Sequence, residues 1–206
     1  MDQCSFDVVI VGAGLSGIGA ACHLEKNNPD KKYLVLESRD RMGGTWDLFR
    51  YPGIRSDSDM HTLGYSFKPW AQQKAIADGS DILNYVRETA AEYGVDKYIR
   101  YGYTLIKASW ESGLARWELT ISRVEEEPLI VNCHFLYSCT GYYRYDSGYM
   151  PDFDGVENFC GTLIHPQHWP EDLNYSDKRV IVVGSGATAV TIVPAMAKKA
   201  AHATML

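Results

Sequence analysis

The chain has 206 residues, a length typical of one large domain or two small ones. Hydrophobic residues make up 46% and charged residues 22%, which indicates a folded globular protein rather than a disordered one. The net charge of −6 disfavours a nucleic-acid-binding surface. No apolar run approaches the roughly 18 residues that a membrane span needs. Charge and hydropathy therefore argue against a nucleic-acid-coating surface, though not against a local basic pocket, and against a membrane span.

The five cysteines show no Cys-x-x-Cys spacing. Their odd number and this spacing argue against a zinc site or a disulfide framework and predict reduced thiols. The N-terminal segment has no basic region ahead of its apolar run, so it does not predict a signal peptide. We expect a cytoplasmic protein without a bound metal.

The first forty residues predict a strand–helix–strand unit. Residues 6–11 (FDVVIV) form a continuous apolar run with β-branched side chains, typical of a buried strand in a parallel sheet. Residues 15–26 have apolar positions at helical spacing, and Asn27-Asn28-Pro29 ends that helix. Residues 33–36 (YLVL) predict a second short strand.

An irregular stretch and a helix follow. Residues 39–79 are rich in Gly, Pro, Asp and aromatic residues and show little periodicity. So long a stretch without regular structure is usually functional. Ser80 is predicted as the N-cap of a helix over residues 82–93, which Gly94 would end.

Three strand-like segments come next. Residues 103–110, 117–123 and 129–135 are separated by turn signals and predict a three-stranded meander. Residues 135–139 are again apolar and stop at Thr140-Gly141.

The last part of the chain repeats the opening pattern. Residues 142–178 are loop-like and contain several prolines. Residues 179–183 (RVIVV) then predict a strand, a helix runs to about Lys199, and residues 202–206 begin another strand. This repeat of strand, glycine turn and helix predicts two dinucleotide sites in one α/β chain.

The first glycine motif is Gly12-Ala13-Gly14-Leu15-Ser16-Gly17. It follows a predicted strand, opens a predicted helix, and has Glu37 at the end of the second strand, which is the context of a dinucleotide fingerprint. Gly12 permits the tight turn, Gly14 leaves room for a pyrophosphate, and Gly17 lets the helix lie close to the sheet. The helix N-terminus offers N–H groups to phosphates, and Glu37 can accept hydrogen bonds from ribose hydroxyls. The alternative is a purely structural glycine turn.

The second glycine motif is Gly184-Ser185-Gly186-Ala187-Thr188-Ala189, with the tolerated alanine in the third position. The residue that reads the ribose is expected about 20 residues further on, beyond Leu206. The sequence therefore leaves NAD and NADP undistinguished at that position. A structural glycine turn is again the alternative.

Two further motifs lie in the irregular stretch. Gly43-Gly44-Thr45-Trp46 places a glycine pair where backbone can pass close to a ligand. Dithiol-type reductases carry a reactive cysteine after such a Gly-Gly-Thr, and Trp46 excludes that nucleophile; a core ring is the alternative for this tryptophan. Asp57 and Asp59 fit either a paired-carboxylate hydrolase or two Asx turns.

A fifth motif stands between the two glycine turns. It runs Phe159-x-Gly161-x-x-x-His165-x-x-x-Trp169-Pro170. In this position the string resembles the fingerprint of type I Baeyer–Villiger monooxygenases. Residues 43–60 (GGTWDLFRYPGIRSDSDM) and 165–175 (HPQHWPEDLNY) are most similar to the branch of ethionamide-activating and long-chain alkane monooxygenases. The resemblance covers essentially the whole chain.

The resemblance implies a two-dinucleotide-binding-domain flavoprotein, with FAD at the first glycine motif and NADPH at the second. The implied domains are an FAD-binding domain with a β-meander over residues 1–141, a linker with the fingerprint over 142–178, and the start of an NADP-binding domain over 179–206. The implied FAD contacts are Gly12, Gly14, Ser16, Gly17, Glu37, Thr45, Trp46, Asp47, Leu48, Asp57 and Leu105. The implied NADPH contacts are Arg55, Ser56, Asp57, Gly184, Ser185, Gly186, Ala187, Thr188, Ala189 and Val190.

The implied chemistry joins NADPH, O2 and a small-molecule ketone or sulfide. NADPH reduces FAD, the reduced flavin forms a C4a-peroxyflavin with O2, and this species converts a ketone into an ester or lactone or oxygenates sulfur. The family stabilises the peroxide anion with an arginine that an aspartate orients, and Asp57 matches that aspartate. Family members are considerably longer, so we expect a truncated, N-terminal part of the fold that would be no competent monooxygenase alone.

Two alternatives stay open. One is a related flavin monooxygenase that oxidises nitrogen or sulfur without forming esters, which the string from His165 to Trp169 disfavours. The other is a non-catalytic FAD-binding fragment, which the shortness of the chain favours.

Overall fold

The computed structural model describes residues 4–206. These residues form a mixed α/β structure with a six-stranded sheet and a separate two-stranded parallel sheet. Contacts divide the chain into two compact units. The first comprises residues 4–47 together with Leu83–Tyr142, and the second comprises Leu48–Ile82 together with Tyr143–Leu206. Within residues 4–206, none of the helices has both the length and the apolar character of a membrane span.

Most elements lie where the sequence predicts them, and one short strand at residues 99–101 was not anticipated. The irregular stretch contains two helices of one turn each. In chain order the elements are β1 (Cys4–Val11), α1 (Leu15–Asn27), β2 (Tyr33–Glu37), α2 (Thr45–Leu48), α3 (Met60–Leu63), α4 (Gly79–Glu92), β3 (Ile99–Tyr101), β4 (Tyr103–Glu111), β5 (Arg116–Arg123), β6 (Glu126–Ser138), β7 (Arg179–Val182), α5 (Ala187–Met196) and β8 (His202–Met205).

The first unit is built on a parallel core. The strand order is β3-β2-β1-β6-β5-β4, and β1 pairs in parallel with both β2 and β6. The middle residues of β1, Val9 and Ile10, point to opposite faces of the sheet and are both completely buried, so both faces are covered there. This explains why the strand is apolar without alternation, as the sequence predicted.

The meander is present, but its last strand is longer than predicted. β6 includes residues 135–138 of the apolar segment 135–139, which the sequence set apart, and changes partner along its length. It pairs antiparallel with β5 up to Cys133 and parallel with β1 from Val131 onwards. The meander thereby folds over the parallel strands, and Leu119 and Ile121 pack in one core with Leu36.

The start of α4 corrects one prediction. The helix begins at Gly79, so Ser80 lies inside it and is not the N-cap. The carbonyl of Asp78 accepts the N–H of Ile82 at 3.1 Å, which places the capping position two residues earlier. Gly94 ends the helical segment as predicted, with φ of +63°. Beside it, the N–H of Val95 returns to the carbonyl of Ala90 at 2.9 Å.

The second unit repeats the strand–turn–helix pattern of the first. β7 and β8 are parallel, with Arg179 opposite His202, and α5 connects them. The segment Leu48–Ile82 belongs to this unit. Its Phe49 and Tyr51 form a core with Ile192 and Met196 of α5. The contact units therefore differ from the contiguous division that the sequence suggests, and the assignment of domains by cofactor stays a prediction.

Candidate functional site: two glycine turns and a fingerprint loop

The first glycine turn is held tightly by its own backbone. Gly12 has a φ of +106° and donates its N–H to the carbonyl of Leu36 at 2.7 Å. A side chain at Gly12 would come within 2.5 Å of the carbonyl oxygen of Cys139, and one at Gly17 would overlap the carbonyl oxygen of Gly12. Helix α1 therefore approaches the turn as closely as only glycine permits, as the sequence predicted.

Gly14 has a different environment from the other two glycines. It is the N-cap of α1 in extended conformation, with no side-chain cap on the helix. A Cβ there would meet the backbone of Gly44, with the Cα at 3.5 Å and the nitrogen at 3.9 Å, which are ordinary contacts. The Gly43 N–H donates to the carbonyl of Ala13 at 3.0 Å, so the second glycine pair flanks this helix N-terminus. Such a helix end, without a capping side chain, suits a phosphate.

Glu37 is tied to this turn. The residue is 4% exposed. Its Oε2 accepts the backbone N–H of Ala13 at 2.8 Å, and its Oε1 accepts that of Arg39 at 3.0 Å. An ionised carboxylate has about four acceptor positions, so these two bonds leave capacity for a hydroxyl. Binding of a ribose by Glu37 stays a prediction.

The residues after the glycine pair do not share one role. Thr45, Trp46 and Leu48 are partly exposed on α2, whereas the side chain of Asp47 is fully buried. The Asp47 carboxylate receives guanidinium groups from arginines of the same unit. Leu105 lies on the outer strand β4, packs against the core beside a β-bulge, and is half-buried.

The second glycine turn is more open. Gly184 has a φ of +129° and donates its N–H to the carbonyl of Leu206 at 2.8 Å. Nothing lies within 4 Å of a Cβ at Gly184 or at Gly186, the N-cap of α5. Ala189 takes the third position of this motif, as Gly17 does in the first. It is buried, so the second turn has space for a methyl group that the first turn lacks. Ser185, Ala187 and Val190 are exposed around the turn and Thr188 is half-buried.

Ser56 fixes the segment from Arg55 to Asp59 by hydrogen bonds to the backbone of Ala77. Ser56 is buried, its backbone N–H donates to the carbonyl of Ala77 at 2.9 Å, and its Oγ accepts the Ala77 N–H at 3.0 Å. Arg55 and Asp57 on either side are exposed.

Asp59 takes one of the two roles that its sequence context left open. It is the N-cap of α3, and its Oδ1 accepts the N–H of Thr62 at 3.0 Å. This hydrogen bond holds the pKa of Asp59 below its ordinary value. Asp59 is therefore a helix cap, whereas Asp57 does not take part in the hydrogen bond to Thr62.

The fingerprint residues each pack on a glycine or a ring of their own unit. The ring of Phe159 covers Gly161, and the ring of His165 lies on Gly148, so a Cβ at either glycine would overlap the ring. Trp169 packs edge-on against Tyr175, with ring centroids 6.3 Å apart. The fingerprint thus shapes the loop that contains it.

Sequence reasoning missed Gln167, which is 5% exposed. Its Nε2 donates to the carbonyls of Arg144 and Tyr145 at 2.5 and 3.2 Å, and its backbone N–H donates to Nδ1 of His165 at 3.2 Å. No local signal marks this residue or Gly148, because each contact spans some twenty residues of irregular chain.

The partial burial of His165 predicts a pH dependence of folding. Burial, with a smaller contribution from His168, lowers the pKa of His165 below its ordinary 6.5. The unfolded chain then binds more protons than the folded chain as pH falls through 6.5, so stability decreases there until the folded-state pKa is reached. Urea unfolding between pH 5 and 8 checks this, and His165→Asn, which keeps an acceptor but does not titrate, should lose that part of the pH dependence. Equal slopes in the two proteins would contradict the prediction.

Residues 6–206 match the flavin-binding monooxygenase-like family. The chain is 58% identical to the putative FAD-containing monooxygenase MymA of Mycobacterium tuberculosis over 98% of this chain and 42% of MymA. It is 57% identical to the FAD-containing monooxygenase EthA of the same organism over 97% of this chain and 41% of EthA. Among solved structures, the cyclohexanone monooxygenase from Rhodococcus sp. Phi1 bound to NADP+ is similar with a TM-score of 0.82 at 26% identity, covering 100% of this chain and 38% of that one.

The fold is therefore that of flavoprotein monooxygenases with two dinucleotide-binding domains, as the sequence predicted. The chain belongs to the flavin-binding monooxygenase-like family. The similarity to the EthA branch that the motifs indicated is confirmed. The chain spans 42% of the length of MymA and 41% of that of EthA.

Proposed function

We propose that this chain provides the FAD site and the first part of the NADPH site of a monooxygenase that inserts one oxygen atom of O2 into ketones and also oxygenates sulfides. The observation that carries the proposal is the pair of strand–glycine turn–helix units. In each unit the helix begins directly after the glycine turn, and no side chain caps its N-terminus. The names of MymA and EthA, both FAD-containing monooxygenases, and the NADP+-bound cyclohexanone monooxygenase support it.

FAD suits the first turn because the residues there fit an adenosine diphosphate. Gly14 leaves space in front of the N-terminus of α1, where backbone N–H groups and the helix dipole favour a pyrophosphate. The buried Glu37 stands beside the same turn through its bond to Ala13, with acceptor positions for ribose hydroxyls. NADPH suits the second turn for the same reason, since Gly184 and Gly186 leave it open.

FAD, when bound, accepts a hydride from NADPH and activates O2. The contribution of this chain is to bind and orient the two cofactors. The proposed role of Asp57 is to orient an arginine cation beside the anion that develops during oxygen transfer, an electrostatic contribution of the usual kind.

A chimera tests the activity. This chain replaces the matching N-terminal segment of MymA, and NADPH consumption, flavin absorbance and ester formation from a methyl ketone are measured. We expect bound flavin and ketone-dependent NADPH oxidation. A chimera that binds flavin and consumes NADPH without forming ester, while sulfides are oxygenated, would instead support the nitrogen- or sulfur-oxidising alternative.

In the same chimera, two neighbouring aspartates should give opposite results. Asp57→Ala should slow oxygenation by about 10²-fold or more without loss of stability, because it removes a charge that acts during the reaction. Asp59→Ala should keep its rate but unfold at a lower temperature, because Asp59 caps α3. The measurements are single-turnover oxygenation and thermal unfolding. An Asp57→Ala protein with an unchanged rate would leave this residue as a turn former.

A further inference from the structure

Asp47 occupies an unusual position for a residue beside a cofactor site. Its side chain is fully buried, with 0% exposure, and it carries a charge that burial makes costly unless it is paired. Arg39 donates from Nη2 to Oδ2 at 2.7 Å, and Arg87 donates from Nη2 to Oδ1 at 3.0 Å. Nε of Arg41 lies 3.8 Å from Oδ2. Each carboxylate oxygen is thus engaged by a guanidinium.

Asp47 and the two arginines that donate to it come from different parts of the first unit. Asp47 lies on α2, Arg39 follows β2, and Arg87 lies on α4. The carboxylate therefore joins the loop after β2 to a helix that is forty residues away in sequence. Removing an arginine from such a pair is destabilising, because the Asp47 carboxylate stays buried with one partner fewer, and removing the carboxylate frees the partly exposed arginines.

This ion-pair cluster connects to the first glycine turn by short contacts. Nη1 of Arg39 lies 3.5 Å from the carbonyl of Gly44, and its backbone N–H donates to Glu37. A Cβ at Gly43 would lie 2.9 Å from Cβ of Asp47, so the glycine pair packs directly on this residue. Gly43 in turn donates to the carbonyl of Ala13 in the turn. Asp47 is thus linked to the first glycine turn by an unbroken series of contacts through Gly43.

We propose that Asp47 is a positioning residue for FAD: through Arg39 and Arg87 it fixes the Gly43-Gly44 loop and the Arg39 guanidinium beside the first glycine turn, without touching the cofactor. The inference rests on the proposed function of that turn. This role differs from the direct FAD contact that the family resemblance implies for Asp47, because both oxygens of its carboxylate face arginines of the protein.

The sign of the effect separates positioning from simple charge. FAD has an anionic pyrophosphate, so removing a nearby negative charge should tighten its binding if electrostatic potential alone mattered. Positioning predicts the opposite, because Asp47→Asn releases the arginines and the loop. A loss of about 10-fold or more in FAD affinity is expected, by analogy with the outer-shell partners of metal ligands, whose removal weakens metal binding by about 10-fold to 100-fold.

Asp40→Asn is the matched control. It removes the same charge from the same loop, at a side chain that is 74% exposed and paired with Arg41. FAD affinity should be unchanged or slightly higher. Both variants of the 206-residue chain are compared by FAD and ADP titration, with ADP carrying the same pyrophosphate. Asp47→Asn should weaken both ligands by the same factor, and a loss for FAD with none for ADP would overturn the proposal.

A second pair keeps the proposal testable if Asp47→Asn does not fold. Arg87→Lys keeps the charge at a side chain that is 44% exposed but removes the planar fork. It should weaken FAD and ADP several-fold and increase hydrogen exchange in residues 39–47. Arg100→Lys, at an exposed arginine that donates to the carbonyl of Lys97, should change neither. Unchanged exchange and affinity in Arg87→Lys would overturn the inference, whereas a chain that binds no FAD before any substitution would overturn the proposed function itself.

Discussion

Substitution of Gly17 by alanine is expected to remove most of the stability of the first unit. The added Cβ would overlap the carbonyl oxygen of Gly12 and lie 2.9 Å from its carbonyl carbon, and both atoms belong to backbone that is itself held by Leu36. Overpacking of this kind costs about 3 kcal/mol or more, a large part of the 5–15 kcal/mol that stabilises an ordinary domain. Urea unfolding measures the loss.

Gly14→Ala is the control for this experiment. Its Cβ would meet only an ordinary contact at 3.5 Å, so stability should change by no more than about 1 kcal/mol. FAD affinity should nevertheless fall about 10-fold to 100-fold, because the methyl group occupies the space in front of the helix N-terminus. Were Gly14→Ala to unfold the unit while Gly17→Ala spared it, the roles of the two glycines would be reversed and the proposed pyrophosphate position wrong.

Gly53→Ala should have a comparable effect on the second unit. Gly53 has a φ of +84°, and its Cβ would lie 2.6 Å from the carbonyl oxygen of Thr191 and 2.7 Å from Cβ of Ala195 on α5. The substitution combines left-handed strain of about 1–2 kcal/mol with a clash of similar size or larger. We expect a loss of about 3 kcal/mol or more and separation of the Leu48–Ile82 segment from α5.

Gly155→Ala isolates the cost of the close approach. Gly155 has nearly the same φ of +80°, but a Cβ there would lie 3.6 Å from the nearest atom, Nδ2 of Asn158. Only the conformational strain applies, so about 1 kcal/mol should be lost. Thermal unfolding and hydrogen exchange of α5 distinguish the two variants. Equal losses would mean that φ alone explains the glycine at position 53 and that the helix contact contributes little.

Local patterns were sufficient for the elements that carry the two nucleotide motifs. The apolar run at residues 6–11 has one stable location, between two parallel neighbours, and Gly12 and Gly17 allow a turn that other residues cannot form. The same reasoning located the second turn at Gly184. The fingerprint between them could be recognised because its residues lie close together in sequence.

The prediction that Ser80 caps α4 was wrong, because the helix begins one residue before it. Serine is a favoured N-cap, but the carbonyl of Asp78 already accepts the first helical N–H. Gly79 is buried, and a side chain there would lie 3.0 Å from Cγ2 of Ile54, so the first turn of the helix packs closely on Ile54. Propensity indicated that a helix was present without fixing its first turn.

Sequence alone therefore determined where chain reversals and buried strands must occur, because backbone conformation and apolar runs act over a few residues. Tertiary structure decided which distant surfaces meet. β6 serves two partners, Phe49 and Tyr51 pack on α5, and the buried Asp47 is paired with Arg87 forty residues away. Those contacts depend on shape and charge complementarity between elements that are adjacent only after folding, and no short-range pattern records them.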